Sequence, residues 1–282
     1  MTAAPEVAEV VPGVYDITAD DYHADPVPGG SLSSTGARKL LPPGCPALYR
    51  YEQGHQQTAP KRHLEFGTAL HTLALGDGPG LVRIDADSYK TKAAQEAAEQ
   101  ARAQGAIPLL PAEMQQAQDM AAALIAHPQA GELLTGGEAE QTYLWRDEET
   151  GIWCRARLDY VRPGEIVDLK TTTDVSLEAV IKSIHKWGYH QQRCWYVDGH
   201  RAIWGEEPEF RFVFIAKTPP YLITVVEPDV TSCLIGEARN RRARHIYREC
   251  QRTGNWPAYD QQIWTVPLPA YAEKNDLEEY VK

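Results

Sequence analysis

A pair of short strands joined by a tight turn constrains the fold of this chain more than any other stretch. Residues 157–160 are predicted to form the first strand and residues 166–171 the second. Between them, Pro163 next to Gly164 is a turn signal, and the β-branched residues directly after the turn favour an extended strand. The sequence therefore predicts a hairpin whose second strand presents its side chains alternately to the two faces of a sheet.

The second strand of this hairpin brings an acid and a lysine to one face. Alternation places Asp168 and Lys170 side by side, while Leu169 points to the other face. Asp159, nine residues before Asp168 and on the neighbouring strand, can approach as a second carboxylate. Two hard oxygen donors beside a lysine suit a Mg²⁺ or Mn²⁺ site that hydrolyses a phosphodiester. The alternative is a surface strand whose acid and lysine form an exposed pair.

A helix is predicted over residues 63–75, ahead of these strands. Its apolar residues recur at helical spacing and form a stripe. Gly67 and His71 are four residues apart, so they share a face, and the small glycine allows a neighbouring element to approach. His71 is therefore either a ligand or a hydrogen-bonded histidine of the core or surface.

A second helix follows the strands and resumes after a break near Gly188. It carries Gln192 and Tyr196 one turn apart, on the same stripe. An amide and a phenol can hold a DNA phosphate or position a water molecule by hydrogen bonds. The alternative for both residues is helix packing.

The closing helix, predicted over residues 229–252, has a basic face. The arginines on this face are Arg241, Arg244, Arg248 and Arg252. Between Glu237 and Arg252, six arginines against two glutamates give a local excess of +4, although the whole chain carries −11. This face is either a contact with DNA or another subunit, or a solvated face paired with acidic neighbours. Thr171, next to Lys170, is a further DNA-binding candidate.

The composition is that of a soluble globular protein, with 43% hydrophobic and 24% charged residues in 282. No apolar run approaches the ~20 residues that cross a bilayer, and the N-terminal residues lack the pattern of a signal peptide. We therefore expect a cytoplasmic protein with no membrane partner. Five scattered cysteines without a CxxC pair argue against a zinc site or a disulfide framework.

Three motifs, in this order, resemble those of a known nuclease superfamily. They are Gly67-x-x-x-His71, Asp159 with Asp168-x-Lys170, and Gln192-x-x-x-Tyr196. Together with the predicted order helix, three strands, helix, strand, they resemble the PD-(D/E)XK nucleases, in the RecB/RecE-like, exonuclease VIII-like form found in phages. The resemblance implies an α/β fold with a restriction-endonuclease-like αβββαβ core, which is a mixed sheet flanked by helices. Leucine stands before Asp159 in place of the family's nominal proline, as it often does in RecB-like members.

The resemblance also implies a role for each site residue. The implied ligands of one or two Mg²⁺ or Mn²⁺ ions are His71, Asp159, Asp168, the Leu169 carbonyl and Glu140. Lys170 would position or deprotonate the attacking water, with Gln192 and Tyr196 orienting the substrate. Glu140 has an equally good interpretation as a solvent-facing strand residue. Some RecB-like relatives carry an iron–sulfur cluster on four cysteines, but the cysteine spacing here does not fit, so we expect none.

The predicted organisation has three parts. Residues 1–62 form a lead-in with short helices, residues 63–252 form the nuclease domain with a helical insertion at 91–127, and residues 253–282 form an irregular arm packed by its tryptophans. The resemblance implies a 5′-to-3′ exonuclease on linear double-stranded DNA, leaving 3′ single-stranded tails for phage-type homologous recombination. It further implies a ring-shaped homo-oligomer and a single-strand annealing recombinase as partner. The alternatives are a related endonuclease or single-strand nuclease, or a non-catalytic DNA-binding protein on the same scaffold.

Overall fold

The computed structural model describes residues 10–55, 62–259 and 262–281. Parts of the predicted lead-in and arm (residues 1–9, 56–61, 260–261 and 282) lie outside this description. The strands are β1 (Gly13–Tyr15), β2 (Leu32–Ser33), β3 (Leu81–Arg83), β4 (Ile107–Leu109), β5 (Glu138–Arg146), β6 (Trp153–Arg162), β7 (Glu165–Thr172), β8 (Glu209–Ala216) and β9 (Ile223–Val226). The helices are α1 (Ala19–His23), α2 (Ser34–Lys39), α3 (Pro46–Gly54), α4 (Arg62–Leu75), α5 (Lys92–Ala103), α6 (Pro111–Ala126), α7 (Pro128–Leu133), α8 (Leu177–Trp187), α9 (Tyr189–Trp204), α10 (Val230–Thr253) and α11 (Ala270–Tyr280).

The main sheet has seven strands and is mixed. Its spatial order is β1-β5-β6-β7-β8-β9, and β2 joins it alongside β6. Strand β5 is antiparallel to β6 and β6 is antiparallel to β7, whereas β7 and β8 are parallel. The succession α4, β5, β6, β7, α8 with α9, and β8 confirms the predicted αβββαβ core.

Apolar clusters cover both faces of the sheet. The first contains Trp195 of α9 and Phe212 of β8, and the second contains Leu70 of α4 and Met120 of α6. Strand β7 contributes to both, because its side chains alternate between the two faces. A sheet covered on both sides has nearly continuous hydrophobic strands, and β8 is accordingly apolar at every position from Phe212 to Ala216.

The sheet forks between β6 and β7. These two strands pair only over residues 160–162 and 165–167, whereas β7 pairs with β8 along its whole length. Strand β2 lies in the gap and pairs in parallel with Cys154 and Arg155 of β6. Because α2 starts directly after β2, the fork carries α2 into the cleft beside β7.

The local signals for helices correspond to the observed elements. Ser176 caps α8, with its hydroxyl accepting from the Ala179 amide. Gly188, in the left-handed region at φ +66°, separates α8 from α9 at the predicted break. None of the described helices is both long and apolar enough to span a membrane.

Two parts of the predicted organisation need correction. The helical insertion contains α5 and α6 as expected, but β4 lies between them and pairs with β3 in a separate two-stranded parallel sheet. The C-terminal arm is not irregular throughout, because residues 270–280 form α11. Its tryptophans also differ from each other: Trp256 stacks on Tyr49, whereas Trp264 is 62% exposed.

Candidate metal centre

Three carboxylates stand in a row across β5, β6 and β7. The register of the flanking pairs places Glu140 opposite Asp159, and Asp159 opposite Asp168. Neither of these two carboxylate pairs belongs to the regular ladder, and Asp159 instead accepts from the Leu169 amide over 2.8 Å. The row therefore lies at the point where the fork opens.

The backbone at Glu140 is exceptional. Its φ of +53° lies in the left-handed region, which costs a non-glycine residue on the order of 1–3 kcal/mol. The alternation of side chains along β5 is interrupted here. Ala139 and Tyr143 would share a face in a regular strand, but Ala139 packs in the second apolar cluster and Tyr143 in the first. The Glu140 carboxylate accepts from Arg157 Nε at 2.7 Å. A strained backbone conformation that aims a carboxylate into a cleft indicates a functional site.

The histidine comes to this row from α4. Nδ1 of His71 lies 3.6 Å from Oε1 of Glu140 and 3.9 Å from Oδ1 of Asp159. Its other ring nitrogen, Nε2, lies 3.2 Å from the carbonyl oxygen of Leu169. The structure thus brings together four of the predicted ligands, from α4, β5, β6 and β7.

These donors fit a divalent ion. The side-chain donors of His71, Glu140 and Asp159 all lie within 4.8 Å of one another. Ligand atoms about 2.1 Å from an ion lie no more than about 4.2 Å apart, and both measured distances from His71 to these carboxylates meet that limit. Carboxylates with one imidazole are typical of Mn²⁺ and acceptable to Mg²⁺.

The fifth predicted ligand, Asp168, lies next to this group but faces another partner. Its side chain is fully buried, and its Oδ2 contacts the ammonium of Lys170. Its Oδ1 accepts from Gln192 Nε2 at 3.1 Å, and the same amide nitrogen lies 2.8 Å from the Tyr196 hydroxyl. The amide of Gln192 thus joins Asp168 to the largely buried Tyr196. We infer that Tyr196 acts through Gln192 rather than by direct contact with substrate.

Lys170 is held between the acid and two aromatic rings. Its Nζ lies 4.9 Å from the ring centre of Tyr189 and 5.9 Å from that of Phe212. Burial lowers the pKa of Lys170, but Asp168 and Asp159 outweigh burial and raise it overall. The side chain is therefore a fixed positive charge with 16% of its surface exposed.

The pKa values at this site are shifted in different directions. Burial, helped by the charge of Asp159, raises the pKa of Asp168 to about 7. Burial lowers the pKa of His71, but Asp159 and Glu140 reverse this and raise it overall. Burial raises the pKa of Glu140, but hydrogen bonds from His71 and Arg157 lower it overall. A proton on Asp168 or His71 therefore competes with a cation that would bind at this site.

A pocket of about 250 Å³ adjoins Lys170. Helix α2 lines it with Ser34, Thr35 and Arg38, and the junction of α8 and α9 lines the other side. The guanidinium of Arg38 donates to the main-chain carbonyl of Trp187. The pocket therefore combines two cations with hydroxyl groups, which are the donors that bind phosphate.

Three residues of the site were not predicted from the sequence. They are Arg38, Arg157 and Tyr189. Strand alternation could have found Arg157, because it shares a face with Asp159 two residues later. Helical spacing could have found Tyr189, because it lies three residues before Gln192 on the same stripe of α9. Arg38 comes from the lead-in, and no local pattern relates it to Lys170.

The basic face of α10 lies elsewhere. Its arginines pair with acids: Arg241 with Glu149 at 2.6 Å, Arg244 with Asp147 at 3.0 Å and Asp198 at 2.9 Å, and Arg252 with Glu249 at 2.7 Å, while Arg248 is exposed. Asp147 and Glu149 lie in the β5–β6 hairpin, seven or more residues from Glu140, which is roughly 23 Å along a strand. These ion pairs favour the interpretation of a solvated, paired face, and a DNA contact there stays a prediction.

The remaining candidate, Thr171, lies on β7 opposite Ile215 of β8. It is half-buried, and alternation turns its side chain away from the face that carries Lys170. Contact between Thr171 and DNA also stays a prediction.

The chain is similar to known nuclease-type domains. The family model described as "PDDEXK-like domain of unknown function (DUF3799)" matches residues 33–264. No curated protein matches the chain. Among solved structures, a protein from Eubacterium rectale described as "Putative exonuclease" has a TM-score of 0.64 and 14% identity, covering 92% of this chain and 98% of that one. At this identity the similarity concerns the fold.

Proposed function

The chain belongs to the PDDEXK-like domain family, and on that premise we propose that it is a divalent-metal-dependent DNA nuclease. The observation that carries the proposal is the convergence of His71, Glu140 and Asp159 beside the buried pair of Asp168 and Lys170. An acidic donor set next to a fixed cation matches what phosphodiester hydrolysis requires.

The metal would be held by three side chains from separate elements, those of His71, Glu140 and Asp159, with Asp168 adjacent. The carbonyl oxygen of Leu169 contacts the other ring nitrogen of His71, Nε2, so it would orient the imidazole rather than bind the same ion. Bound Mg²⁺ or Mn²⁺ would supply Lewis-acid polarisation of the scissile phosphate.

The other site residues orient charges. Lys170 is the only cation shared by the carboxylate row and the pocket, among the pocket-lining side chains. It stabilises negative charge that builds up on the phosphate oxygens, or it orients the attacking water. Gln192 holds the Asp168 carboxylate in place. Arg38, with the hydroxyls of α2, holds a neighbouring phosphate of the same strand.

The finer proposal concerns the substrate and the assembly. We propose a 5′-to-3′ exonuclease on linear double-stranded DNA that leaves 3′ single-stranded tails. It would act as a ring-shaped homo-oligomer and supply tails to a single-strand annealing recombinase. This version rests on the resemblance to the RecB/RecE-like nucleases, and the site residues alone do not distinguish it from its alternatives. An endonuclease or a single-strand nuclease would use the same site residues.

The test uses linear duplex labelled at either the 5′ or the 3′ ends, with Mg²⁺ or Mn²⁺, beside a closed circle of the same sequence. The wild type is expected to release 5′-terminal nucleotides from the linear DNA and to spare the circle. Asp168→Ala should reduce hydrolysis about 100-fold or more, whereas Asp119→Ala, an exposed acid on α6, should not. Cleavage of the circle would support the endonuclease instead. No hydrolysis by the wild type with either metal would overturn the nuclease proposal.

A further inference from the structure

The last residue of α8, Trp187, lies at the edge of the pocket that Lys170 and Arg38 line. Its side chain is 48% exposed. Leu177 and Ile181 of the same helix are also exposed, to 61% and 58%, but only Trp187 of these three lines the pocket. A large aromatic side chain left open beside a cationic pocket requires an explanation that packing alone does not give.

The backbone that carries this indole is held by its neighbours. Gly188 ends the helix in the left-handed region, at φ +66°. The Trp187 carbonyl accepts from Arg38, so the guanidinium is attached to the backbone that carries the indole. A Cβ on Gly188 would lie 2.9 Å from Cδ of Arg38. The guanidinium of Arg38 is therefore held close to the backbone of Trp187.

The charges around the indole remain available to an anion. Among the described residues, no carboxylate forms an ion pair with Arg38. The ammonium of Lys186 lies over the Trp187 ring, 5.1 Å from its centre, so it adds a cation here, and a base would stack on the opposite face of the indole. The pocket thus offers cations for a phosphate and, directly beside them, an aromatic surface.

We propose that Trp187 is a stacking platform for an unpaired nucleobase of a strand whose phosphate lies against Arg38 and Lys170. The inference rests on the proposed nuclease function and adds a feature of its substrate. Aromatic side chains bind single strands by stacking on any base. A base inside a duplex has both faces covered by its neighbours, so the indole would select frayed or single-stranded ends.

The inference is tested by binding in Ca²⁺, with two duplexes of equal length. One has a blunt end and the other has two unpaired terminal nucleotides, and each carries 2-aminopurine at the terminus. Trp187→Ala should weaken binding of the unpaired end on the order of tenfold, lose the quenching of 2-aminopurine and leave the blunt end unchanged. Trp187→Phe should restore most of the affinity. Trp264→Ala, which removes an indole that is 62% exposed in the C-terminal arm, should change neither duplex.

An abasic terminal nucleotide supplies the second measurement. It should weaken binding by the wild type as much as Trp187→Ala does, and it should add nothing to that variant. If Trp187→Phe is folded but neither it nor Trp187→Ala differs from wild type, and the abasic end binds normally, the stacking role is wrong while the nuclease stands. If the wild type neither binds nor cleaves any of these DNAs, the nuclease proposal fails and this inference fails with it.

Discussion

The carboxylate row and the basic face of α10 are both dense in charge, but their charges are compensated differently. On the basic face, Arg244 lies between two carboxylates and Arg241 reaches a third. In the row, three carboxylates stand together, and the pKa of Asp168 is raised to about 7. The three carboxylates of the row share two fixed cations, Lys170 and Arg157. Charge that is fully compensated by neighbours stabilises a fold, whereas carboxylates in excess of their cations in a cleft mark a functional site.

The largest expected effect is on Lys170. Because Lys170→Met removes the fixed cation of the site, the hydrolysis rate should fall about 100-fold or more. Affinity for Mn²⁺ should be kept or slightly increased, because a positive charge near the carboxylates is lost. Single-turnover hydrolysis and Mn²⁺ titration measure the two effects. Lys182→Met, at an exposed ion pair on α8, is the matched control. If hydrolysis fell equally in both variants, the site lysine would be no more important than a lysine in an exposed ion pair.

Arg244 should show the opposite pattern. Its side chain is 12% exposed and pairs with Asp147 and Asp198, so Arg244→Met leaves the half-buried Asp147 without a cation and leaves Asp198 with Arg201 alone. The free energy of unfolding should fall by about 2–4 kcal/mol, with the hydrolysis rate per folded molecule unchanged. Urea unfolding and hydrolysis below the transition measure both. If the variant is stably folded but hydrolyses DNA more slowly, the basic face takes part in the reaction.

The row should also titrate near neutrality. The pKa of Asp168 is raised to about 7, and that of His71 is raised as well, so protons compete with the metal below pH 7. Mn²⁺ affinity should fall about tenfold per unit as pH drops from 7 to 6. Without metal, raised pKa values stabilise the folded state at low pH, and that stability is lost as pH rises through 7. Calorimetric Mn²⁺ titrations at pH 6, 7 and 8 measure the slope, and a flat profile would contradict the assignment.

The smallest effect is expected at Arg252. This exposed arginine pairs with Glu249 on the next turn, and such surface pairs contribute little. If the basic face is a solvated one, Arg252→Ala leaves DNA affinity and its salt dependence unchanged. If the face contacts DNA as the sequence predicts, affinity falls and the slope of log K against log salt decreases by about 0.9. Binding measured at three salt concentrations decides between them.

The core and most of the site could be predicted because their signals are local. Alternation in β7 places Asp168 and Lys170 together, and the turn at Gly164 fixes the hairpin that brings Asp159 near them. The spacing of Gly67 and His71 places the histidine on the face of α4 that meets the sheet. Each of these inferences needs only a few neighbouring residues.

What could not be predicted depends on distant contacts. Strand β2 has two residues, too few for any periodicity. The partner of Arg241 is Glu149, 92 residues away in the chain, so arginine spacing alone cannot distinguish a paired face from a free one. The positive φ at Glu140 follows from no residue preference, because glutamate does not favour that conformation.

The fork in the sheet places two groups of site residues on separate segments of the chain. Residues 140–170 supply the acids and the lysine, whereas Ser34, Thr35 and Arg38 arrive from the other side of the gap on a short segment that follows β2. The two segments meet where β2 pairs with Cys154 and Arg155 of β6. A substitution that shifts this two-residue pairing would therefore move the cationic wall of the pocket relative to the acids and the lysine.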